Sequence, residues 1–117
     1  MLQSQGQSQR AAEHFRESLK IYYALGVRNA VAYCLEMLAG LDADGDRHRE
    51  AASLFGAVDK LREILDAPVE SFNRERYQGD LKRVRENLGE AEFEAVWNEG
   101  RDMRLEEAVE AAQQDLS

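Results

Sequence analysis

The 117-residue sequence holds one proline (Pro68), one cysteine (Cys34), one tryptophan (Trp97) and no threonine. Each shortage excludes something. A lone cysteine allows no disulfide framework and no thiolate metal cluster, and a cytoplasmic setting is the natural expectation. Scarce proline and β-branched residues argue against sheet and leave long stretches free to coil. No apolar run approaches the ~20 residues of a membrane span. The N-terminus lacks the basic-then-apolar order of a signal peptide, so no membrane association is expected.

Hydrophobic residues make up 44% and charged residues 32% of the chain, the balance of a folded domain rather than a disordered one. The common residues are Ala, Glu, Leu, Arg and Gln, which lose little rotamer freedom in a helix, so the fold class is all-α. The net charge is -8. Most of the excess lies after residue 66, where seven Lys/Arg face thirteen Asp/Glu. Such a surface repels phosphate, and no direct nucleic acid binding is expected.

A repeat runs through the first half. Arg10-Ala11-Ala12-Glu13-His14-Phe15 aligns with Glu50-Ala51-Ala52-Ser53-Leu54-Phe55, forty positions later, and Lys20 and Leu25 then match Lys60 and Leu65. Each copy has an apolar stripe at helical spacing: Ala12, Phe15, Leu19 and Tyr22 in the first, Ala51, Phe55, Val58, Leu61 and Leu65 in the second. Alanine one turn before an aromatic lets a neighbouring helix approach while the ring fills the space beside it. Gly26 and Ala67-Pro68 should stop these helices. Between them Val31, Cys34, Leu35, Leu38 and Leu41 form a third stripe, followed by an expected turn over 42–46. Later stripes end at Gly89, at Gly100 and near Leu116. The pattern predicts about six helices in three hairpin-like pairs: 11–25/29–41, 49–65/70–88 and 90–100/105–116.

Leu35, Leu38 and Ala39, then Ala51, Phe55 and Val58, fall on the spacing of the tetratricopeptide repeat consensus, with Asp42 in place of its usual aromatic. Over most of its length the chain resembles the tetratricopeptide-like C-terminal region of large bacterial signalling ATPases. Those include transcriptional regulators of the LuxR/MalT and AfsR kind and cyclase-linked relatives. The likeness runs through Leu38-Ala39-Gly40-Leu41, Ala51-Ala52-Ser53-Leu54-Phe55-Gly56-Ala57 and Phe93-Glu94-Ala95-Val96-Trp97-Asn98-Glu99-Gly100. It implies a superhelical array of antiparallel helix hairpins, with 1–66 as repeat-like hairpins and 67–117 as capping helices of a single domain. It also implies a non-catalytic module for protein–protein interaction or regulatory sensing. The chain has no Gly-rich phosphate loop and no basic recognition helix.

Forty positions before Gly45-Asp46 stand Gln5-Gly6, so Gln3 to Gln9 is expected to be a turn inside a repeat. The helix that should pair with 11–25 is then absent, and a solenoid helix buries its face only against neighbours. The chain is therefore expected to be a fragment of a longer protein, or else to associate with itself. The candidate self-association face is Phe15, Leu19, Tyr22 and Tyr23. If first helices line an inner surface, as the resemblance implies, Arg28, Asn29, Tyr33 and Glu36 are the candidate partner-binding groove. The partner is expected to be a protein, a peptide or upstream repeats of the same polypeptide. A stand-alone acidic adaptor that homodimerises through 11–25, and a small-molecule-binding helical bundle, remain as alternatives.

Sharper chemistry finds little support. Asp42, Asp44 and Asp46 surround Gly45, but a calcium loop needs glycine sixth and an acid twelfth, where Arg47 and Ser53 stand. His14 and His48 have no helical ligand or nucleophile at working distance, so no metal and no catalysis are expected. Cys34 lies in an apolar stripe as a small core residue. Trp97 continues the stripe of Phe93, and Lys82-Arg83-Arg85 is too small a basic cluster for nucleic acid. No cofactor is implied, and the chain is not expected to be an enzyme.

Overall fold

The computed structural model describes residues 2–114, with side-chain surroundings from Gly6 onward. The helices are α1 (Leu2–Leu25), α2 (Arg28–Asp44), α3 (His48–Leu65), α4 (Ser71–Leu88), α5 (Glu90–Asp102) and α6 (Leu105–Gln113). No strand occurs among the described residues. The all-α class and the six helices expected from composition and periodicity are what the described residues form.

Several stops are where the sequence put them. Gly26 ends α1 with φ +74°, and the N–H groups of Gly26 and Val27 turn back to the carbonyls of Tyr23 and Tyr22 at 3.2 and 3.0 Å. Asp66 ends α3 in the left-handed region (φ 52°), just before Ala67-Pro68. Gly89 ends α4 at φ 84°.

Three expectations are corrected. Gln3 to Gln9 is no turn, because α1 runs unbroken from Leu2. Nothing there demands a positive φ, and one interior glycine, Gly6, costs a helix only about 1 kcal/mol. The turn after α2 begins at Gly45 rather than Asp42, since Ala43 is buried and Asp42 is held inward by Arg47 Nε at 3.0 Å. Gly100 does not end a helix: α5 continues to Asp102. The last helix ends at Gln113, and Leu116 lies outside the described residues.

Short turns make α1/α2 and α2/α3 antiparallel hairpins, and α3 is the central element, with α2, α4, α5 and α6 packed on it. Phe55, Leu35, Val58, Val84 and Phe93 fill the core. The crossing of α3 and α5 is close because glycine stands on both sides. A Cβ on Gly56 would run into the Trp97 carbonyl, and one on Gly100 into the Ser53 carbonyl. Gly100 is thus a packing residue, which is why it tolerates mid-helix placement. Beside the crossing, Arg101 pairs with Asp59 and Glu63. The chain then returns to its start. Arg16 Nε donates to the Ala112 carbonyl at 3.1 Å and Gln113 Nε2 donates to the Arg16 carbonyl at 2.9 Å, tying α6 to α1.

Candidate functional site

Among the described residues the exposed large hydrophobics are Ile21, Tyr22, Tyr23, Leu25, Val27, Ile64 and Phe72. They are not scattered. Ile21 to Leu25 form the last turns of α1, Val27 precedes α2, Ile64 is in the last turn of α3, and Phe72 is in the first turn of α4. Antiparallel packing brings those four helix ends to one pole of the molecule. Single exposed apolar side chains are ordinary, and a group gathered at one pole is not. Leu25 at 71% and Phe72 at 76% exposure are its most open members.

An aromatic ladder leads into this pole across three helices. The Phe15 ring meets Tyr33 edge-on with centroids 6.1 Å apart, and Tyr33 meets Phe72 at 6.1 Å. Beneath it a buried charge network holds the loop that presents Phe72. Arg62 Nε donates to Glu36 Oε1 at 2.8 Å, and the other Arg62 nitrogens donate to the Glu70 carboxylate at 3.0 and 3.1 Å. Arg62 also reaches the Ala67 carbonyl at 3.3 Å, and Asn73 Nδ2 donates to Glu36 Oε2 at 3.2 Å. The path from α3 to α4 is thereby fixed to α2 by charge-assisted bonds. Burial pushes the Glu36 carboxyl above its ordinary value, and the adjacent Arg62 guanidinium opposes that rise.

The two candidate sets from the sequence meet here, with two corrections. Arg28 and Asn29 are exposed at the start of α2, and Tyr33 is half-buried in the ladder. Glu36, 3% exposed, is bound to Arg62 and Asn73, so it supports the site from below and faces no partner. Tyr22 and Tyr23 are exposed and Phe15 is half-buried, but Leu19 is wholly buried in the core and leaves the proposed face. Helical spacing grouped Leu19 with Tyr22; the approach of α2 covers only the first. Ile64 and Phe72 were missed because each is an isolated apolar residue off its helix's stripe, a signal that gains meaning only when the helix ends converge.

The remaining candidates have structural partners. Asp42 pairs with Arg47, Asp44 with Arg83 at 2.7 Å, and Asp46 lies 3.6 Å from His48, so the three carboxylates diverge. Arg83 also pairs with Asp80, while Arg85 pairs with Glu90 and stacks over Phe93, 4.6 Å from its centroid. Lys82 is exposed. Cys34 is buried, which pushes its thiol up to about 11 and disfavours the nucleophilic thiolate. Trp97 is half-buried against Phe93, with centroids 5.5 Å apart. His14 is exposed and packs edge-on against Phe15. Toward the opposite pole a cavity of about 280 Å³ lies between α1, α2, α3, α5 and α6. Arg16, Arg47 and Arg49 line it, and each is already bound: to the Ala112 carbonyl, to Asp42 and to Glu92 respectively. No helix of the described residues is long and apolar enough to cross a membrane.

No family model matches the chain, and no solved structure matches it significantly. Curated proteins of Mycobacterium tuberculosis and Mycobacterium bovis do, at 26% identity over 110 residues. The match covers 94% of this chain but 12% of each relative. These relatives are classed, by name rather than by demonstrated activity, as HTH-type transcriptional regulators. The match links the chain to transcriptional regulators. It also overturns the expectation of no direct nucleic acid binding, since those relatives carry in their name a DNA-reading motif. The acidic charge from which that expectation came describes a stretch equal to only 12% of such a protein.

Proposed function

We propose that this chain is a non-catalytic interaction module of a cytoplasmic transcriptional regulator, and that its apolar pole docks a protein or peptide. The observation that carries the reading is the convergence of the exposed large hydrophobics on one pole, flanked by Arg28 and Asn29. An aromatic-rich apolar centre with a polar rim is the anatomy of a protein-binding surface. The helical-repeat reading is supported by a similar aromatic contact at two positions, whose first members are forty residues apart and whose second members are forty-four apart. Phe55 of α3 meets Tyr77 of the following α4 edge-on at 5.3 Å, as Phe15 of α1 meets Tyr33 of the following α2. In this view DNA contact belongs to the activity of the whole regulator, and the module couples a binding event to it.

The test is a regulator carrying this chain with Ile64→Asp and Phe72→Asp together, read by a transcription reporter and by DNA binding in vitro. Loss of the regulated response with DNA affinity retained is expected. An unchanged response would remove the pole from the mechanism.

A further inference from the structure

Apart from the face that α2 covers, α1 carries a second stripe. Gln7, Ala11, His14, Ser18, Ile21 and Leu25 follow one another at steps of four and three, the spacing of a helix–helix seam. At 100° per residue this stripe lies roughly a quarter-turn from Phe15 and Leu19. Gln7, His14, Ile21 and Leu25 are exposed, and Ala11 and Ser18 half-buried.

The forty-residue register says what such a stripe is for. Its last five members correspond to Ala51, Leu54, Val58, Leu61 and Leu65 of α3. There Ala51, Leu54, Val58 and Leu61 are buried, at 0, 4, 0 and 5% exposure, with α2 packed along the helix. In α1 no helix among the described residues covers the equivalent face.

We propose that in the 117-residue chain this face is covered by α1 of a second copy, lying antiparallel about a twofold axis between His14 and Ser18. In that arrangement the stripe is self-complementary over its full length. Leu25 falls opposite Gln7, Ile21 opposite Ala11, and His14 opposite Ser18. Each bulky residue then meets a smaller or more flexible one, the alternation that lets facing helices interdigitate. A parallel pair would set Leu25 against Leu25 and His14 against His14. Charge leaves α1 free for this role. At 100° per residue only Arg10 and Glu17 flank the stripe, one charge of each sign, on a chain of net charge -8, whereas Arg16 turns away to the Ala112 carbonyl. In the pair Glu17 flanks the axis and faces its own copy, so Glu17→Gln should tighten the dimer. About 28 Å of one helix pair is less surface than a standard interface, and the dimer should be reversible, with Kd on the order of 10–100 µM.

Sedimentation equilibrium of the full chain from about 5 µM to about 1 mM reads this directly. The expected mass climbs from 13.3 kDa toward twice that value. Ile21→Glu with Leu25→Glu should stay monomeric over the same range with unchanged helicity, since both side chains are exposed. Orientation is tested in a Cys34→Ala background by mixing chains bearing His14→Cys with chains bearing Ser18→Cys. Rapid disulfide formation between unlike chains is expected, ahead of His14→Cys with itself. A chain monomeric throughout, a dimer that survives the Ile21/Leu25 variant, or preferred like-with-like crosslinking would each overturn the proposal. In the first case the stripe is left for a helix from elsewhere in a longer polypeptide.

Discussion

Arg62 and Glu36 meet inside the protein at 2.7 Å, with 6% and 1% of their side chains exposed. Neither charge has water to fall back on, so each depends on the other. Arg62→Met should cost about 3–5 kcal/mol, because it strands a buried carboxylate. Adding Glu36→Leu should recover part of that loss, since an apolar pair removes both charges' desolvation penalties but leaves buried Asn73 without its Glu36 acceptor. Urea unfolding of the wild type, both single variants and the double variant closes the cycle. A double variant whose loss equals the sum of the two single losses would show that the pair does not couple.

Gly56 and Gly100 should be intolerant of the smallest side chain, whereas Gly79 should welcome it. At the first two positions a Cβ would strike backbone of the facing helix, which cannot swing aside. Gly56→Ala or Gly100→Ala should lower stability by about 1–3 kcal/mol. Gly79 lies within α4 with nothing inside 4 Å of its missing Cβ. Gly79→Ala should stabilise by about 0.5–1 kcal/mol through helix propensity. Thermal melts that failed to separate the two groups would contradict the α3–α5 crossing.

Acidification gives a third prediction. Burial raises the carboxyls of Asp42 and Asp80 above their ordinary 3.8, outweighing Arg47 beside the first and Arg83 beside the second. Between that value and the raised one, the folded chain holds more protons than the unfolded chain. Stability from these groups therefore falls as pH rises through the interval and returns as pH falls back through it. The urea midpoint of an Asp42→Asn, Asp80→Asn variant should depend less on pH in that range than the wild type's. Equal or steeper dependence in the variant would refute the assignment.

Cys34 should be silent until the protein opens. With its thiol pushed up to about 11 from 9.0, the thiolate is roughly 100-fold scarcer than in an ordinary cysteine, quite apart from steric cover. Labelling by a disulfide reagent at mildly alkaline pH should track urea unfolding. Prompt stoichiometric labelling of the native chain would place Cys34 at the surface.

Much of this architecture was legible in the residues themselves. Gly26, Pro68 and Gly89 announce helix ends because left-handed glycine and pre-proline geometry act within a few residues. Val31, Leu35, Phe55 and Val58 announce the core because their spacing is local too. The site was legible only in part. Arg28, Asn29, Tyr33, Tyr22 and Tyr23 stand out in the sequence only as two separate candidate surfaces, and Ile64 and Phe72 were invisible. Gly100 looked like a stop because glycine lowers helix propensity; whether a neighbour needs the space it leaves is not written in its own helix.

Composition and periodicity by themselves determined that the chain is helical, how many helices it makes and which residues turn inward, since those preferences come from backbone sterics and side-chain entropy over one or two turns. Only tertiary structure decided that Leu19 is covered while Tyr22 is not. It alone buried Glu36 against Arg62, twenty-six positions away, and drew four helix ends into one apolar pole. Those outcomes depend on which helices come to lie against each other, and a periodic stripe specifies that a face will be covered without specifying by what.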